Sequence, residues 1–131
     1  MTEQKPLELI LARNLLSSIS TPAFLVSRRG MLLFYNDSAG EMVGRRFEET
    51  GTMSAEQWTQ QFGPLDEQGR PLPLEQIPFT SALGEGRPAH AAFRIRNAGG
   101  SCHDVAASAV PIVGRDGSSG AIVFFWPAEG K

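Results

Sequence analysis

The sequence has few residues of the kinds that metal ions and covalent chemistry need. Among its 131 residues there are one cysteine, Cys102, and two histidines, His90 and His103. A single cysteine excludes a disulfide within the chain and a zinc site built on several thiolates. Two histidines without a cluster of carboxylates also make a poor transition-metal site. We therefore predict no resident metal.

Strong net charge and long apolar runs are absent as well. The formal net charge is −2, and no basic stripe favours a nucleic-acid partner. The apolar runs are far shorter than a membrane span, and residues 1–5 lack the features of a signal peptide. No Gly-x-Ser-x-Gly, Gly-rich phosphate loop or His-Glu-x-x-His motif occurs. These absences favour one soluble, cytoplasmic domain that is not an enzyme.

What the chain does have is short apolar segments separated by turn residues. Arg28-Arg29-Gly30 separates the first two segments, and Asp116-Gly117, a tight-turn signal, separates the last two. The predicted strands are Ala23–Ser27, Met31–Tyr35, Ala89–Arg96, Cys102–Val113 and Ala121–Trp126.

Helical signals lie before and between these strands. The predicted helices are Leu7–Ser18, a short helix capped by Asn36 or Asp37 and stopped by Gly44, Ala55–Phe62 with Ser54 as its N-cap, and Phe79–Leu83. The order of elements predicts an α+β fold, a five-stranded antiparallel sheet with short helices on one face.

Both faces of the predicted sheet are apolar. In the last strand, Val123 and Phe125 point one way and Phe124 and Trp126 the other. Strict alternation in the second strand places Met31, Leu33 and Tyr35 opposite Leu32 and Phe34. An antiparallel sheet with one face in water would instead alternate apolar and polar residues. The second face therefore needs its own cover, either the N-terminal helix or a partner subunit, or both.

The N-terminal helix has an apolar stripe that suits this role. Its members recur at three- and four-residue steps, and they are Leu7, Ile10, Leu11, Leu15 and Ile19. If this stripe covers the sheet, Leu9 and Leu16 remain on the flank of the helix. We predict a homodimer through the helix and the outer face of the sheet, with the stripe at the interface.

The order of the turn and strand motifs resembles PAS sensor domains. Gly30 and Asn36 bracket the second strand as in that family, and Pro111, Ile112, Asp116, Gly117 and Gly120 match its final hairpin. The resemblance covers about residues 15–127. It divides the chain into an N-terminal helix (1–20), a PAS domain (21–127) and a tail (128–131).

The resemblance implies a ligand space between sheet and helices. The candidate pocket residues there are Tyr35, Asn36, Phe47, Met53, Trp58, Phe62, Phe79, Phe93 and Phe125. Aromatic residues in such a space more often form a packed core, which we favour over a cavity. The segments where relatives hold a reactive cysteine or a haem ligand, Ser54–Phe62 and Phe79–Leu83, contain neither residue type. No cofactor is predicted, and flavin or haem is the alternative.

The function that the resemblance implies is a PAS sensory or protein-interaction module in signal transduction. Such a module is the input domain of a histidine kinase or transcription regulator, or its stand-alone partner. One alternative is a small α+β pocket enzyme, an isomerase or hydratase. It would need a paired acid and base in the cavity, but His103 and Asp104 are adjacent and point to opposite faces. The other alternative is a ligand-free dimerisation module.

Overall fold

The computed structural model describes residues 7–66, 68–72, 82, 85–97, 99–114 and 117–127. Within these ranges the elements are α1 (Leu7–Leu16), β1 (Ala23–Ser27), β2 (Leu32–Tyr35), α2 (Asp37–Val43), α3 (Phe47–Thr50), α4 (Ala55–Phe62), β3 (Ala89–Arg96), β4 (Cys102–Gly114) and β5 (Gly117–Pro127). The expected α+β fold is confirmed.

The five strands form one sheet in the order β2-β1-β5-β4-β3, and all neighbouring strands are antiparallel. The first and last hairpins meet because β1 pairs with β5, with Phe24 opposite Val123. The chain thus brings its first and last strands together in the middle of the sheet. This placement puts the start of the domain beside its end.

A bulge in the first hairpin corrects the predicted alternation of β2. The register shifts between Leu25 and Val26, so that Leu25 lies opposite Phe34 but Val26 lies opposite Leu32. As a result Leu32 shares the inner face with Tyr35, whereas Leu33 and Phe34 both pack on the outer face. An extra residue in one strand shifts its side chains between the two faces.

The inner face of the sheet is covered by α2 and α4. Asn36 caps α2 by accepting the amide of Ala39, and Gly44 ends the helix with a positive φ of 82°. Ser54 and Gln57 cap each other's backbone amides at the start of α4. The core under these helices contains Phe24, Val26, Leu32, Tyr35, Ala39, Val43, Met53, Trp58, Phe62, Ala82, Ile95, Val105, Ala107, Ala109, Ala121, Val123 and Phe125.

The outer face is covered by α1, but with a different side of the helix from the one predicted. Leu9, Ala12 and Leu16 are buried against Ala23, Leu25, Leu33 and Phe34. The prediction that Leu9 and Leu16 stay on the flank was wrong. The physical reason is that leucine and isoleucine occur on every side of this helix, so periodicity alone does not choose the buried side. Of the predicted stripe, Leu7, Ile10, Leu11 and Leu15 are exposed, and Ile19 packs partly buried against the outer cluster.

Two other differences concern element boundaries. The four-residue helix α3 was not predicted, and its first turn is held by the Glu49 carboxylate, which accepts the amide of Arg46 at 3.0 Å. β5 begins at Gly117, opposite Gly114, four residues before the predicted start. The predicted helix Phe79–Leu83, apart from Ala82, and Asp116 of the predicted turn lie outside the described residues.

Candidate functional site

The inner core is an aromatic cluster centred on Phe24 of β1. The Phe24 ring centroid lies 4.9 Å from that of Phe125, 5.4 Å from Tyr35, 5.9 Å from Trp58 and 6.3 Å from Phe62. These partners come from β5, β2 and α4, so one side chain connects three elements of the fold. Tilted and edge-on contacts at such distances stabilise aromatic cores beyond the area that they bury.

The predicted pocket residues do come together in this space. Tyr35, Met53, Trp58, Phe62 and Phe125 are buried in the inner core, and Phe47 and Phe93 pack partly buried against it. Phe79 lies outside the described residues. Asn36 is buried too, at the end of β2, where its side chain is directed toward the segment between α1 and β1.

The void within this cluster is too small for a flavin or a haem. It measures about 20 Å³ and lies among Phe24, Trp58, Phe62, Phe93 and Phe125. That is room for about one water molecule, whereas pockets for organic ligands occupy roughly 300–1,000 Å³. The side chains of the described residues around it are apolar, so they offer such a group no polar anchor. As packed here, the described part of the inner core leaves no space of that size.

The polar groups at the border of the core are satisfied by backbone. The Tyr35 hydroxyl donates to the carbonyl of Arg45 at 2.7 Å, and the Trp58 indole donates to the carbonyl of Gly30 at 2.8 Å. Burial raises the pKa of Tyr35 above its ordinary value of 10.0. These bonds fix the rings in place, which is a structural role.

The outward side of α1 is apolar and unprotected. Leu7 is 66% exposed and Leu15 is 58% exposed, and the side chains of Ile10 and Leu11 are exposed as well. The Ser119 hydroxyl on β5 donates to the Glu8 carboxylate, which lowers the pKa of that carboxyl. Glu8 and Leu15 are seven residues apart and hence on the same side of the helix. Leu15 therefore lies on the flank that faces β5.

The outer face of β4 and β5, against which α1 lies, has exposed apolar side chains as well. Val110 on β4 and Trp126 on β5 are 37% and 44% exposed. We call Leu7, Ile10, Leu11, Leu15, Val110 and Trp126 together the outer apolar surface. Polar pairs lie beside it on β3 and β4, where His90 contacts the Ser108 hydroxyl and Arg94 donates to Asp104 at 2.9 Å.

The remaining candidates for chemistry do not form a site. Cys102 is exposed. Asp104 is paired with Arg94, and the His103 ring lies 3.2 Å from the Asn97 amide, so the two do not form an acid–base pair. In the described part of the chain no group of three potential ligands could hold a metal ion. No helix there is long and apolar enough to cross a membrane.

No protein-family model and no curated protein sequence matches the chain. Solved structures do match it. The PAS domain of a Colwellia psychrerythraea protein has a TM-score of 0.67 and 15% sequence identity, covering 92% of this chain and 96% of that chain. A PAS domain from a two-component sensor histidine kinase has a TM-score of 0.63 and 16% identity, covering 93% and 97%. The Rhodobacter sphaeroides LOV protein has a TM-score of 0.70 and 15% identity, covering 92% and 66%. These likenesses, over most of the chain, show that it has the fold of a PAS domain.

Proposed function

We propose that this chain is a non-catalytic PAS module of signal transduction that acts as a homodimer through the outer apolar surface. The observation that carries the proposal is the exposed side of α1, where Leu7, Ile10, Leu11 and Leu15 are turned away from their own sheet. Contiguous exposed apolar side chains of this kind mark interaction sites.

A second copy of the chain is the proposed occupant of this surface. The surface joins one helix face to the adjoining face of β4 and β5, through the flank that Glu8 and Ser119 hold together. Because a two-fold axis places the same patch on both subunits, a patch made of leucine, valine and tryptophan is complementary to itself. The predicted interface residues Leu7, Ile10, Leu11 and Leu15 belong to it, whereas Ile19 packs within its own chain.

The inner core serves as a rigid platform in this proposal. The predicted pocket residues pack against one another around a void of about 20 Å³. We infer that they form a core rather than a ligand pocket, so that the signal enters and leaves through the surface. The similar PAS domain from a two-component sensor histidine kinase supports a kinase as the effector, either fused or separate.

The oligomeric state is the direct test. Light scattering on the full chain should give a dimer at micromolar concentrations, and Leu11→Glu and Leu15→Glu should each give a monomer that is still folded. Met31→Glu is the matched control, because Met31 is also apolar and 42% exposed but lies outside the outer apolar surface. A monomeric wild-type chain, or dimers that survive both glutamates, would refute the interface.

The packed interior is tested separately. Native mass spectrometry of the freshly purified chain should give multiples of the 14.2 kDa polypeptide with no added mass. The absorption spectrum should show no visible band. A flavin or haem band that stays with the protein through gel filtration would overturn the proposal of a packed core and leave the dimer proposal standing.

A further inference from the structure

Asn36 makes more hydrogen bonds than a helix cap requires. It is 3% exposed, and its carboxamide contacts five backbone groups. Its Oδ1 accepts the amide of Ala39 at 3.0 Å, which is the capping bond, and the amide of Ala23 at 3.2 Å. The capping bond therefore accounts for only part of what this buried side chain does.

The other end of the carboxamide holds the segment that leads out of α1. Nδ2 donates to the carbonyls of Leu16 at 3.1 Å and Thr21 at 2.9 Å, and the carbonyl of Ile19 lies at 3.5 Å. Leu16 is the last residue of α1, so its carbonyl has no partner inside the helix. The Asn36 amide thus supplies a donor to the end of α1.

We propose that Asn36 is a positioning residue that couples the docking of α1 on the outer face to the capping of α2 over the inner core. One planar group makes both sets of bonds, so a displacement of α1 also displaces the side chain that caps α2. A helix of ten residues is marginal in isolation, and its order depends on docking. This inference deepens the proposed function, because α1 carries much of the proposed dimer surface.

Asn36→Asp separates this role from simple capping. Aspartate is as good an N-cap as asparagine and keeps both acceptor bonds of Oδ1. Its second oxygen, however, would face the carbonyls of Leu16 and Thr21 with no proton to share. The pKa of that carboxyl should rise, since only the protonated form can donate.

The two roles predict opposite pH dependence. If Asn36 couples the helices, the raised pKa makes Asn36→Asp most stable, relative to wild type, at pH 4, and the stability is lost as pH rises toward 7. If Asn36 only caps α2, the helix dipole lowers the pKa of the aspartate, and stability is lost as pH falls. Glu8 and Arg13 on α1, Tyr35 on β2, and Asp37 and Glu41 on α2 are the ionisable groups on the neighbouring elements. All of these groups are present in both the wild type and Asn36→Asp. They therefore affect the difference in stability between the two proteins only through their interaction with the new carboxyl.

Hydrogen exchange at pH 7 locates the effect. In Asn36→Asp the amides of α1 and of residues 17–21 should lose protection by roughly tenfold or more, and those of α2 should lose protection with them. Asn36→Ser, which keeps only a cap, should loosen α1 to a similar extent and serves if the aspartate variant folds poorly. Wild-type protection of α1 in both variants, or greater relative stability of Asn36→Asp at pH 7 than at pH 4, would overturn the proposal. Neither readout depends on dimerisation. A monomeric wild-type chain would therefore refute the proposed homodimer but would not contradict the role of Asn36.

Discussion

The two faces of one sheet each carry an apolar cluster but are closed in different ways. The inner face packs aromatic rings from five elements, and its void is about 20 Å³. The outer face is covered by one short helix, whose own outward side is again apolar, with Leu7 66% exposed. The inner face is therefore buried within the chain, whereas the helix that covers the outer face exposes apolar side chains of its own. This difference underlies our proposal that the inner face is a rigid core and the outer one an interaction surface.

The largest effect should come from removing the centre of the inner cluster. Phe24→Ala should destabilise the fold by about 3–5 kcal/mol, because it empties a site 3% exposed that contacts four other rings. Urea unfolding followed by tryptophan fluorescence measures the loss. The enlarged cavity should be dry and should bind a small apolar probe such as benzene.

Met31→Ala is the control for Phe24→Ala, since its side chain is 42% exposed and its loss should change stability by about 0.5 kcal/mol or less. Equal effects of the two substitutions would remove the contrast between a closed inner core and an open surface.

The next effect concerns the contact of α1 with the sheet. A Cβ on Gly120 would lie 2.3 Å from the carbonyl oxygen of Val26 and 3.2 Å from Cδ2 of Leu9. Since the first of these is backbone, Gly120→Ala should force β1 and β5 apart and destabilise the fold by about 1–3 kcal/mol. It should also reduce the hydrogen-exchange protection of α1.

Gly99→Ala is the matched control for Gly120→Ala. The nearest atom to a Cβ there is Oδ1 of Asn97 at 3.4 Å, an ordinary contact. Its unfolding midpoint should stay unchanged or rise slightly, because alanine restricts the unfolded chain. A neutral Gly120→Ala would show that α1 docks without close approach of β1 and β5.

Local signals made much of the fold predictable. Ser54 and Gln57 mark the start of α4, and the alternation in Ala89–Arg96 marks β3; both elements have the predicted bounds. The buried side of α1 was not predictable in this way, since Leu7, Leu9, Leu11 and Leu16 leave no polar face. One long-range contact that favours the observed side is at Gly120, whose missing side chain leaves room for Leu9 from more than 100 residues away.

The candidate site was also predictable only in part from the sequence. The resemblance to PAS domains placed Tyr35, Trp58, Phe62 and Phe125 in the inner space, and the structure buries all four there. The sequence showed Asn36 only as a cap, since the three carbonyls that its amide reaches lie 15 to 20 residues earlier, at the end of α1 and in the segment that follows it. The bulge that puts Leu32 beside Tyr35 also has no local signal.

A smaller effect should come from the border of the inner core. Tyr35→Phe removes the donor to the Arg45 carbonyl and should destabilise the fold by about 0.5–1.5 kcal/mol. Tyr35 is the only tyrosine, so the tyrosinate absorbance of the wild-type chain reports this residue alone. Because burial raises the Tyr35 pKa, its titration midpoint should lie above 10.0 in the folded chain and return to that value in urea. Identical midpoints in the two conditions would show that the inner face is open to water at this edge.

The smallest effect should come from the outer face, where one part-buried bond holds the start of α1 to β5. The Ser119 hydroxyl lowers the pKa of Glu8 below its ordinary value of 4.5, so the folded chain favours the carboxylate. The sign follows by linkage: this contribution to stability is present above that ordinary pKa and is lost as pH falls through the lower pKa of the folded chain.

Ser119→Ala should therefore lower the unfolding midpoint slightly at pH 7 and leave it unchanged at pH 3, where the carboxyl is largely protonated in the variant. Glu8→Gln should cause a smaller loss at pH 7, because its amide oxygen can still accept from Ser119 but carries no charge. The two substitutions should not add, since both weaken the same contact. Glu56→Gln, in the first turn of α4, controls for the loss of one negative charge at a helix start. Because Glu8 is only partly buried, added salt should shrink the wild-type contribution, whereas the effect of Phe24→Ala should not weaken with salt. An effect of Ser119→Ala at pH 3 as large as at pH 7 would mean that Ser119 supports α1 by packing, and the outer face would then resemble the inner one.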